Sequence, residues 1–566
     1  MLQPPKINAP SWHIKRRGLL KMLAGAPALG MLRATAQSAA GPFRHGVASG
    51  DPLADRVILW TRLMPEAGLA DIVWEVAKDG DFSAIVASGA AKTSAARDFT
   101  VKVDASGLAP GSRYYYRFRA GGHVSPLGRT RTLPVGAVDR LRLGVVSCAN
   151  YPYGFFHAYR HIAQREDIDA VIHLGDYIYE YPRGHYSAPD IEAGGRVVAP
   201  PGESIHLTDY RARYATYRAD PDLAAAHAAH PFIAIWDDHE IANDAWRDGA
   251  ENHNDGEGDW PARRAAAVQA YMEWMPIREN SAGPREAIYR AFDFGDLARL
   301  IMLDTRLIGR DRQLSYAVDL EPEAMAANAP QGAQPVPDIA RFRAEKLGEE
   351  ARTMLGARQE AWLRETLAAS KARGQTWQVL GQQVVMGNLN IPKDGEALLE
   401  AEPQFAAERI KGLLALGPFG LPLNLDAWGG YPAARRRLLA DVLEHANNAL
   451  VLAGDSHNGW AFNLKQNGVI AAAEFATPSV TSPGLETYLP ADPARIAEAL
   501  RQASDELVWA DTARRGYLTL SLTRQAASAD FWFLDSVAGQ EFTIAREKSL
   551  TTMAQDMAGV GPLLEA

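Results

Sequence analysis

Short apolar and aromatic runs, separated by Gly, Asp and Pro, fill residues 42–135. The clearest are Val57–Trp60, Ile72–Val76 and Tyr114–Phe118, which are rich in β-branched and aromatic residues and have the length of strands. A series of short strands with turn signals between them is typical of two packed antiparallel sheets. The pattern therefore predicts an N-terminal β-sandwich.

After Arg140 the pattern changes to buried strands that alternate with helical stretches, which favours a layered α/β domain over residues 140–545. In such domains ligands bind at the carboxyl ends of the strands. The residues from Ala324 to Pro337 and from Ile391 to Gly430 are interpreted as long loops or lids, and residues 546–566 as a C-terminal tail. The predicted strands are Leu141–Val146, Ala170–Leu174, Phe232–Trp236, Leu300–Leu303, Trp377–Leu380 and Ala449–Ala453. The predicted helices include Gly154–Arg165, Thr208–Tyr217 and Arg358–Ala372.

Residues 1–36 have the pattern of a cleaved export signal. Basic residues lead into an apolar run from Met22 to Leu32, which is too short for the roughly 20 helical residues that span a bilayer. Ala34 and Ala36 suit a signal peptidase, and Lys15–Lys21 resembles a twin-arginine signal. We therefore expect the twin-arginine machinery to export the folded chain to the periplasm or outside the cell, with no transmembrane segment in the mature protein.

Composition changes this picture in two ways. The 566-residue chain has a single Cys, so no internal disulfide framework exists. Removing residues 1–36 leaves 53 basic against 68 acidic residues, a net charge near −15. An acidic surface disfavours a stable complex with nucleic acid, and phosphate chemistry on it requires metals or a few focused arginines.

Four of the buried strands run directly into polar clusters. The clusters begin at Ser147-Cys148, Gly175-Asp176, Asp237-Asp238 and Gly454-Asp455. One acidic turn after a strand is ordinary, but four from different parts of one domain are hard to explain as turns. Because strand ends converge in an α/β domain, the sequence predicts a metal site there.

The order of these clusters resembles the calcineurin-like metallophosphoesterase superfamily. Three departures narrow the resemblance to the PhoD-type phosphatases: Cys148 in the first motif, Asp237-Asp238-His239-Glu240 in the third, and Asp455 in place of a histidine in Gly454-Asp455-Ser456-His457. Gly46–Pro52 and Leu59–Leu63 also match the family. Gly107–Tyr114 further resembles the tyrosine corner of a fibronectin- or immunoglobulin-like sandwich.

The resemblance implies a mixed metal centre. Cys148, Asp176, Tyr179 and His457 are expected to hold Fe³⁺, because a thiolate and a phenolate need a strong Lewis acid. Asp176 would bridge to Ca²⁺, with Asp238 and Asp455 as further oxygen ligands and Asp237 as a supporting residue. Asn243 and Gln383 are loose candidates for a second calcium site.

The function implied is that of an exported alkaline phosphatase, which hydrolyses small phosphomonoesters and phosphodiesters by attack of a metal-activated water or oxide. His239 is expected to contact phosphate or protonate the leaving group; its structural alternative is a histidine bonded to Glu240 or Asp244. Asn243 and Arg306 are candidates for substrate binding, although an ion pair is the commoner role for such an arginine.

Three alternatives stay open. The enzyme could prefer diesters, including phospholipids in a phospholipase D-like reaction. It could be a non-catalytic metal-binding protein that works through the sandwich, which the complete series of ligands disfavours. A purple-acid-phosphatase type is disfavoured by Asp238 and Asp455.

Overall fold

The computed structural model describes residues 41–68, 70–280, 283–320, 338–399, 407–556 and 558–565. The proposed export signal and the predicted loop from Ala324 to Pro337 lie outside these residues. The architecture is a strand-rich N-terminal region followed by a mixed α/β domain, as the sequence predicts. Among the described residues, no helix is both long enough and apolar enough to cross a membrane.

The first sheet of the α/β domain is ten-stranded in the described residues, and its centre is the run of parallel strands that lead to the site. Val145 pairs with Ile172, and Ile172 pairs with Ile233, so the carboxyl ends of these three strands meet at one edge. In spatial order, the strands are Leu564–Glu565, Ile544–Met553, Ala526–Leu534, Gly516–Leu522, Leu141–Val146, Ala170–His173, Pro231–Ala234, Val47–Gly50, Arg56–Arg62 and Thr100–Ser106.

The two faces of the second sheet contribute to two different hydrophobic cores. Leu450 and Leu452 share one core with the first sheet, whereas Val451 and Ala453 lie in a second core that helices cover. This alternation follows from the two-residue period of a strand. In spatial order, the strands are Arg290–Phe294, Ala298–Met302, Trp377–Gly381, Asn448–Ala453, Val469–Ala476, Gly459–Gln466 and Leu507–Asp511.

The helices surround these two sheets. Pro221–Ala229 illustrates their local signals: Pro221 occupies the first turn, and the Asp220 carboxylate accepts hydrogen bonds from the amides of Asp222 and Leu223. The α-helices are His157–Gln164, Pro189–Ala193, Leu207–Arg218, Pro221–Ala229, Trp260–Trp274, Tyr316–Asp319, Ile339–Arg341, Gly356–Ala372, Ala407–Leu414, Pro432–His445 and Pro493–Gln502. Shorter helical turns are Pro65–Ala67, Ala95–Arg97, Tyr151–Tyr153, Gly395–Leu398, Gly417–Phe419, Trp428–Gly430 and Leu485–Thr487, and Phe342–Leu347 is a π-helix.

The N-terminal region has a sandwich core and a tyrosine corner. Tyr114, Tyr116 and Phe118 alternate with more exposed residues and bury their rings against Val57 and Leu59 of the facing strand. The Tyr114 hydroxyl accepts a hydrogen bond from the Ala109 amide at 2.8 Å. The strands that complete this layer are Asp71–Ala77, Ile85–Lys92, Arg113–Ala120, His123–Val124 and Gly128–Arg131.

One of the two sandwich sheets is continuous with the α/β domain. Val47–Gly50 pairs in parallel with Pro231–Ala234, so the large sheet extends from residues 42–135 into residues 140–545. The change of pattern at Arg140 predicts two separate domains instead. Local patterns identify a strand but not its partner, and the pairing of segments about 180 residues apart therefore escapes sequence reasoning.

Two other segments differ from the sequence-based expectation. Ile544–Met553 is a strand paired with Ala526–Leu534, although its charged residues read as a C-terminal tail. Its alternate residues Leu550 and Thr552 are fully buried, which explains its order. The segment interpreted as a loop from Ile391 to Gly430 contains the helix Ala407–Leu414.

Candidate metal centre

The residues at the strand ends adopt an unusual backbone conformation. The φ angles of Cys148, Asp176, Asp455 and His457 are 60°, 54°, 57° and 62°, in the left-handed region that side chains other than glycine rarely occupy. Such conformations cost on the order of 1–3 kcal/mol each and concentrate at functional sites. They turn the four side chains towards one point between the two sheets.

The first cluster at this point is formed by Cys148, Asp176 and His457, whose ligand atoms all lie within 4.8 Å of one another. The Tyr179 hydroxyl joins them at 2.9 Å from Asp176 Oδ2 and 3.3 Å from His457 Nε2. Cys148, Asp176 and Tyr179 are at most 2% exposed. A thiol, a carboxylate, a phenol and an imidazole are thus brought together, as the sequence predicts.

The second cluster contains mostly carboxylates. Asp237, Asp238 and Asp455 present oxygens within 4.8 Å of one another, and Asp176, Asp238 and His239 form an overlapping group. Asp176 therefore belongs to the first cluster and to a group that shares Asp238 with the carboxylates, so it links the two clusters. An oxygen-rich group of this kind suits a hard cation, whereas the sulfur-containing group suits a transition metal.

The donors fit a cation because several have no protein partner. Asp176 Oδ1 and Asp237 Oδ2 are buried without a hydrogen-bond partner among the described residues. Burial raises the pKa of the Cys148 thiol and of the Tyr179 phenol well above their ordinary values, and the Asp176 carboxylate raises both further. Burial likewise raises the pKa of Asp455. Only a nearby positive charge can keep these groups anionic, which is what a bound metal supplies.

Arg306 is fully buried beside the carboxylate cluster, and its guanidinium is surrounded by acidic side chains. Its guanidinium lies 2.5 Å from Asp237, 2.8 Å from Asp426 and 3.1 Å from Asp455. Its side chain is 0% exposed. This geometry supports the ion-pair role and not the phosphate-clamping role that the sequence analysis also considered.

His239 is held by an acid that the sequence analysis did not consider. Its Nδ1 lies 2.7 Å from Glu180 Oε2, and not beside Glu240 or Asp244 as the structural alternative supposes. Burial lowers the pKa of His239, but the carboxylates of Glu180 and Asp238 outweigh burial and raise that pKa well above its ordinary value. The imidazole is therefore disposed to carry a proton beside the carboxylate cluster.

Comparison with known proteins identifies the family. The family model of the PhoD-like phosphatases matches residues 143–531, and the model of the PhoD-like phosphatase N-terminal domain matches residues 28–134. This chain belongs to the PhoD-like phosphatase family. It is 37% identical over 508 residues to alkaline phosphatase D of Bacillus subtilis (strain 168), covering 87% of this chain and 77% of that protein.

Comparison of the fold with solved structures supports the same family assignment. The solved structure described as the structure of PhoD superposes with a TM-score of 0.74 at 33% sequence identity, and the match covers 93% of this chain and 92% of that chain. The protein is accordingly a phosphatase, a hydrolase of phosphoric esters with candidate metal-binding groups in its site.

Two residues of this phosphatase support the site without entering the clusters. Glu240 is buried and accepts hydrogen bonds from the amides of Asp176, Tyr177 and Asp237, at 3.1, 2.6 and 2.8 Å. It therefore ties the second and third motifs together. Ser482 lies 2.6 Å from the Tyr179 hydroxyl and donates a hydrogen bond to the Cys148 carbonyl.

The sequence signal for these supporting residues is uneven. Glu240 belongs to the third motif, and Glu180 directly follows Tyr179, so both acids have a local signal in the sequence. Ser482 and Asp426 lie outside every motif and have no local signal. Only the fold brings them to the site.

Gln383 and Asn243, the two candidates for a second calcium site, do not lie in either cluster. The Gln383 side chain donates hydrogen bonds to the carbonyls of Trp236 and Leu303 and accepts them from Thr305, so it is fully used in joining strand ends. Asn243 donates from its main-chain amide to Glu180 and from its side-chain amide to Glu251. Its role in substrate binding stays a prediction.

A large cavity adjoins the carboxylate cluster. It has a volume of about 790 Å³, and its walls include Asp244, whose amide donates to Asp238, and Asp426, which pairs with the same Arg306 guanidinium as Asp455 does. Most of the remaining wall is apolar. The apolar and aromatic residues that line it include Trp246, Leu314, Tyr316, Leu413, Leu416 and Leu425.

Proposed function

We propose that this phosphatase is an alkaline phosphatase that uses Fe³⁺ and Ca²⁺ and hydrolyses phosphomonoesters and phosphodiesters. The ferric ligands would be Cys148, Asp176, Tyr179 and His457. Calcium would take Asp238 and Asp455, with Asp176 as the bridge. The observation that carries the proposal is that Asp176 belongs to two groups of different chemistry, one with a thiol and a phenol and one with Asp238 and His239.

When bound, the metals would supply Lewis-acid charge that activates a water and neutralises the phosphate group. The chain's own part is proton transfer and orientation. Glu180 fixes the His239 ring through Nδ1, which leaves Nε2 as the proton donor to the departing alcohol oxygen. Burial of both side chains removes competing hydrogen bonds to water, because His239 is 6% and Glu180 0% exposed.

The test is to purify the mature chain without chelator and to measure its metals by mass spectrometry, its visible spectrum and its hydrolysis before and after calcium removal. We expect about one iron with calcium, and a charge-transfer band that disappears in Tyr179→Phe. Hydrolysis should fall on calcium removal and return on its addition. A colourless, zinc-containing protein would contradict the assignment of Cys148 and Tyr179.

A second candidate is a preference for diesters that carry an apolar alcohol, including phospholipids in a phospholipase D-like reaction. The largely apolar 790 Å³ cavity beside Asp244 and Asp426 favours it. Comparing methyl and octyl esters of one phosphodiester series would test this: a rise in kcat/KM with chain length, lost in Leu413→Asp, supports it. Equal values for all chain lengths would remove this candidate.

We also propose export through the twin-arginine route, which rests on residues 1–36 alone. Replacing Arg16 and Arg17 with Lys should leave the full-length precursor inside the cell. Unchanged export of that variant would exclude the route, and it would leave the proposed chemistry untouched.

A further inference from the structure

A second cavity lies at the joint between the N-terminal sandwich and the α/β domain, far from the metal centre. Its volume is about 110 Å³. Arg113, Arg129 and Arg131 line it from the sandwich, and Glu166 and Asp169 line it from the α/β domain. We call it the arginine pocket, defined by these five residues.

The strand register concentrates positive charge in this pocket. Arg113 and Arg131 are direct partners in the antiparallel pairing, and Arg129 is two residues from Arg131 and therefore on the same face. Like charges directly opposite one another destabilise a sheet. On a chain whose net charge is −9, such a grouping needs compensation from another source.

The protein supplies only part of that compensation. Asp169 forms a close ion pair with Arg131, and Glu166 Oε1 is 3.6 Å from Arg129 Nη1. Arg113 donates only to the Glu166 main-chain carbonyl, at 3.0 Å. In the described part of the chain, no carboxylate lies within 4 Å of the Arg113 guanidinium.

A neighbouring cavity contributes a further positively charged side chain. It has a volume of about 190 Å³, shares Arg131 and Asp169 with the arginine pocket, and is also lined by Arg140. Arg140 likewise has no carboxylate within 4 Å among the described residues. Burial lowers the pKa of Arg131, and Arg113 and Arg140 lower it further, as expected where positive charge is in excess. Four guanidinium groups therefore face two carboxylates.

The wall also contains a histidine, which adds no charge that could balance the arginines. His230 lies in the wall with Nε2 2.9 Å from the Ile162 carbonyl, and burial lowers its pKa to about 4. The imidazole is therefore neutral and contributes no charge of either sign.

We propose that the arginine pocket binds inorganic phosphate, the product that this phosphatase releases. Forked guanidinium donors suit a tetrahedral oxyanion, and the cavity is large enough for one such ion. The pocket lies at the amino end of Ala170–His173, whereas Asp176 follows the carboxyl end. At about 3.3 Å per residue, the two sites are separated by roughly 20 Å. The pocket is thus distinct from the metal centre, and a phosphate there would join the two regions of the chain.

The experiment is calorimetric titration of the metal-loaded mature chain with inorganic phosphate, with product inhibition measured in parallel. We expect two phosphates per chain. Arg113→Gln combined with Arg129→Gln should bind one, while its inhibition constant for phosphate and its kcat stay unchanged. Sulfate should compete for the second phosphate, and chloride at equal ionic strength should not.

The matched control is Arg119→Gln, on the same strand and face as Arg113 but outside the pocket, with its guanidinium 3.6 Å from Glu75. It should retain both phosphates. If the double variant does not fold, Arg113→Gln alone removes only the guanidinium without a carboxylate partner, and it should weaken the second phosphate by about tenfold or more. A single phosphate per wild-type chain, or two in the double variant, would overturn the proposal.

Discussion

Replacing Glu180 with Gln tests how His239 works, because the substitution keeps the volume and removes one buried charge. Glu180 is 0% exposed and accepts three hydrogen bonds: from His239 Nδ1 at 2.7 Å, from the Asn243 amide at 2.8 Å and from Asn252 Nδ2 at 2.8 Å. Glutamine can keep the two bonds from the asparagines through its oxygen. It then turns an amide NH₂ towards His239, and the imidazole has to present a lone pair there.

The size of the effect on His239 protonation follows from the loss of its hydrogen bond to the Glu180 carboxylate. A hydrogen bond between charged groups contributes about 1.5–3 kcal/mol, so the protonated fraction of His239 should fall by about 10- to 150-fold wherever pH lies above its pKa. If His239 protonates the leaving group, kcat for an alkyl phosphate should fall by the same factor, about 10- to 150-fold, in that pH range. For p-nitrophenyl phosphate, whose leaving group needs little protonation, the loss should stay below about tenfold.

The assay is kcat and KM for both substrates between pH 6 and 11, with metal content measured on every variant. Glu180 raises the pKa of His239 in the native protein, so the decline of alkyl phosphate hydrolysis on the alkaline side should move to lower pH in Glu180→Gln. KM should change little. The double variant with His239→Gln should be no slower than His239→Gln alone, because the two residues act as one unit.

Equal decreases in kcat for both substrates, with metals retained, would refute this reasoning. Glu180 would then have a purely structural role. Asn252→Ala is the matched control, since it removes a bond to the other carboxylate oxygen and leaves the Glu180 charge in place. It should lower stability by about 1 kcal/mol and preserve the difference between the substrates.

Three further predictions concern stability and metal content. Gly175→Ala should lower the unfolding temperature and the metal content together, because the added Cβ would lie 2.4 Å from the Asp237 Cβ at a φ of +103°; calorimetry and metal analysis check it. Arg306→Gln should destabilise the protein by about 3–5 kcal/mol in denaturant unfolding, because it leaves Asp237 buried without its cation. Tyr114→Phe should cost about 1 kcal/mol in the same assay with kcat unchanged, because only the bond from the Ala109 amide is lost.

The arrangement of the site could be predicted because it follows from strand ends. Val145, Ile172 and Ile233 lie side by side in parallel strands, so the polar residues that follow each strand must meet at one edge. The sequence contains both facts that this inference needs, namely short apolar runs and the polar residues directly after them. The sandwich was predictable for a similar reason, since alternation in Arg113–Ala120 identifies its inner face without reference to any partner.

What escaped prediction depends on contacts between distant segments. The sequence gives no sign that Val47–Gly50 joins the large sheet, because a strand's own composition does not name its neighbour. Residues 546–566 are expected to be a tail, yet pairing with Ala526–Leu534 makes Ile544–Met553 a strand that buries one face and exposes a charged one. In both cases tertiary pairing decides the structure of a segment whose local signal is ambiguous.

Arg306 shows why the charge balance of the site could not be read from its ligands alone. It lies 120 residues from Asp426 and 149 from Asp455, yet one guanidinium holds both carboxylates and Asp237. Asp237, Asp238, Asp426 and Asp455 would carry four negative charges against two buried guanidinium groups, those of Arg306 and of Arg310, which also pairs with Asp426. Burying such an excess is costly unless further cations enter, and burial accordingly raises the pKa of Asp237 and Asp455. The fold thus places an excess of negative charge beside Asp176, and bound metal cations would neutralise it.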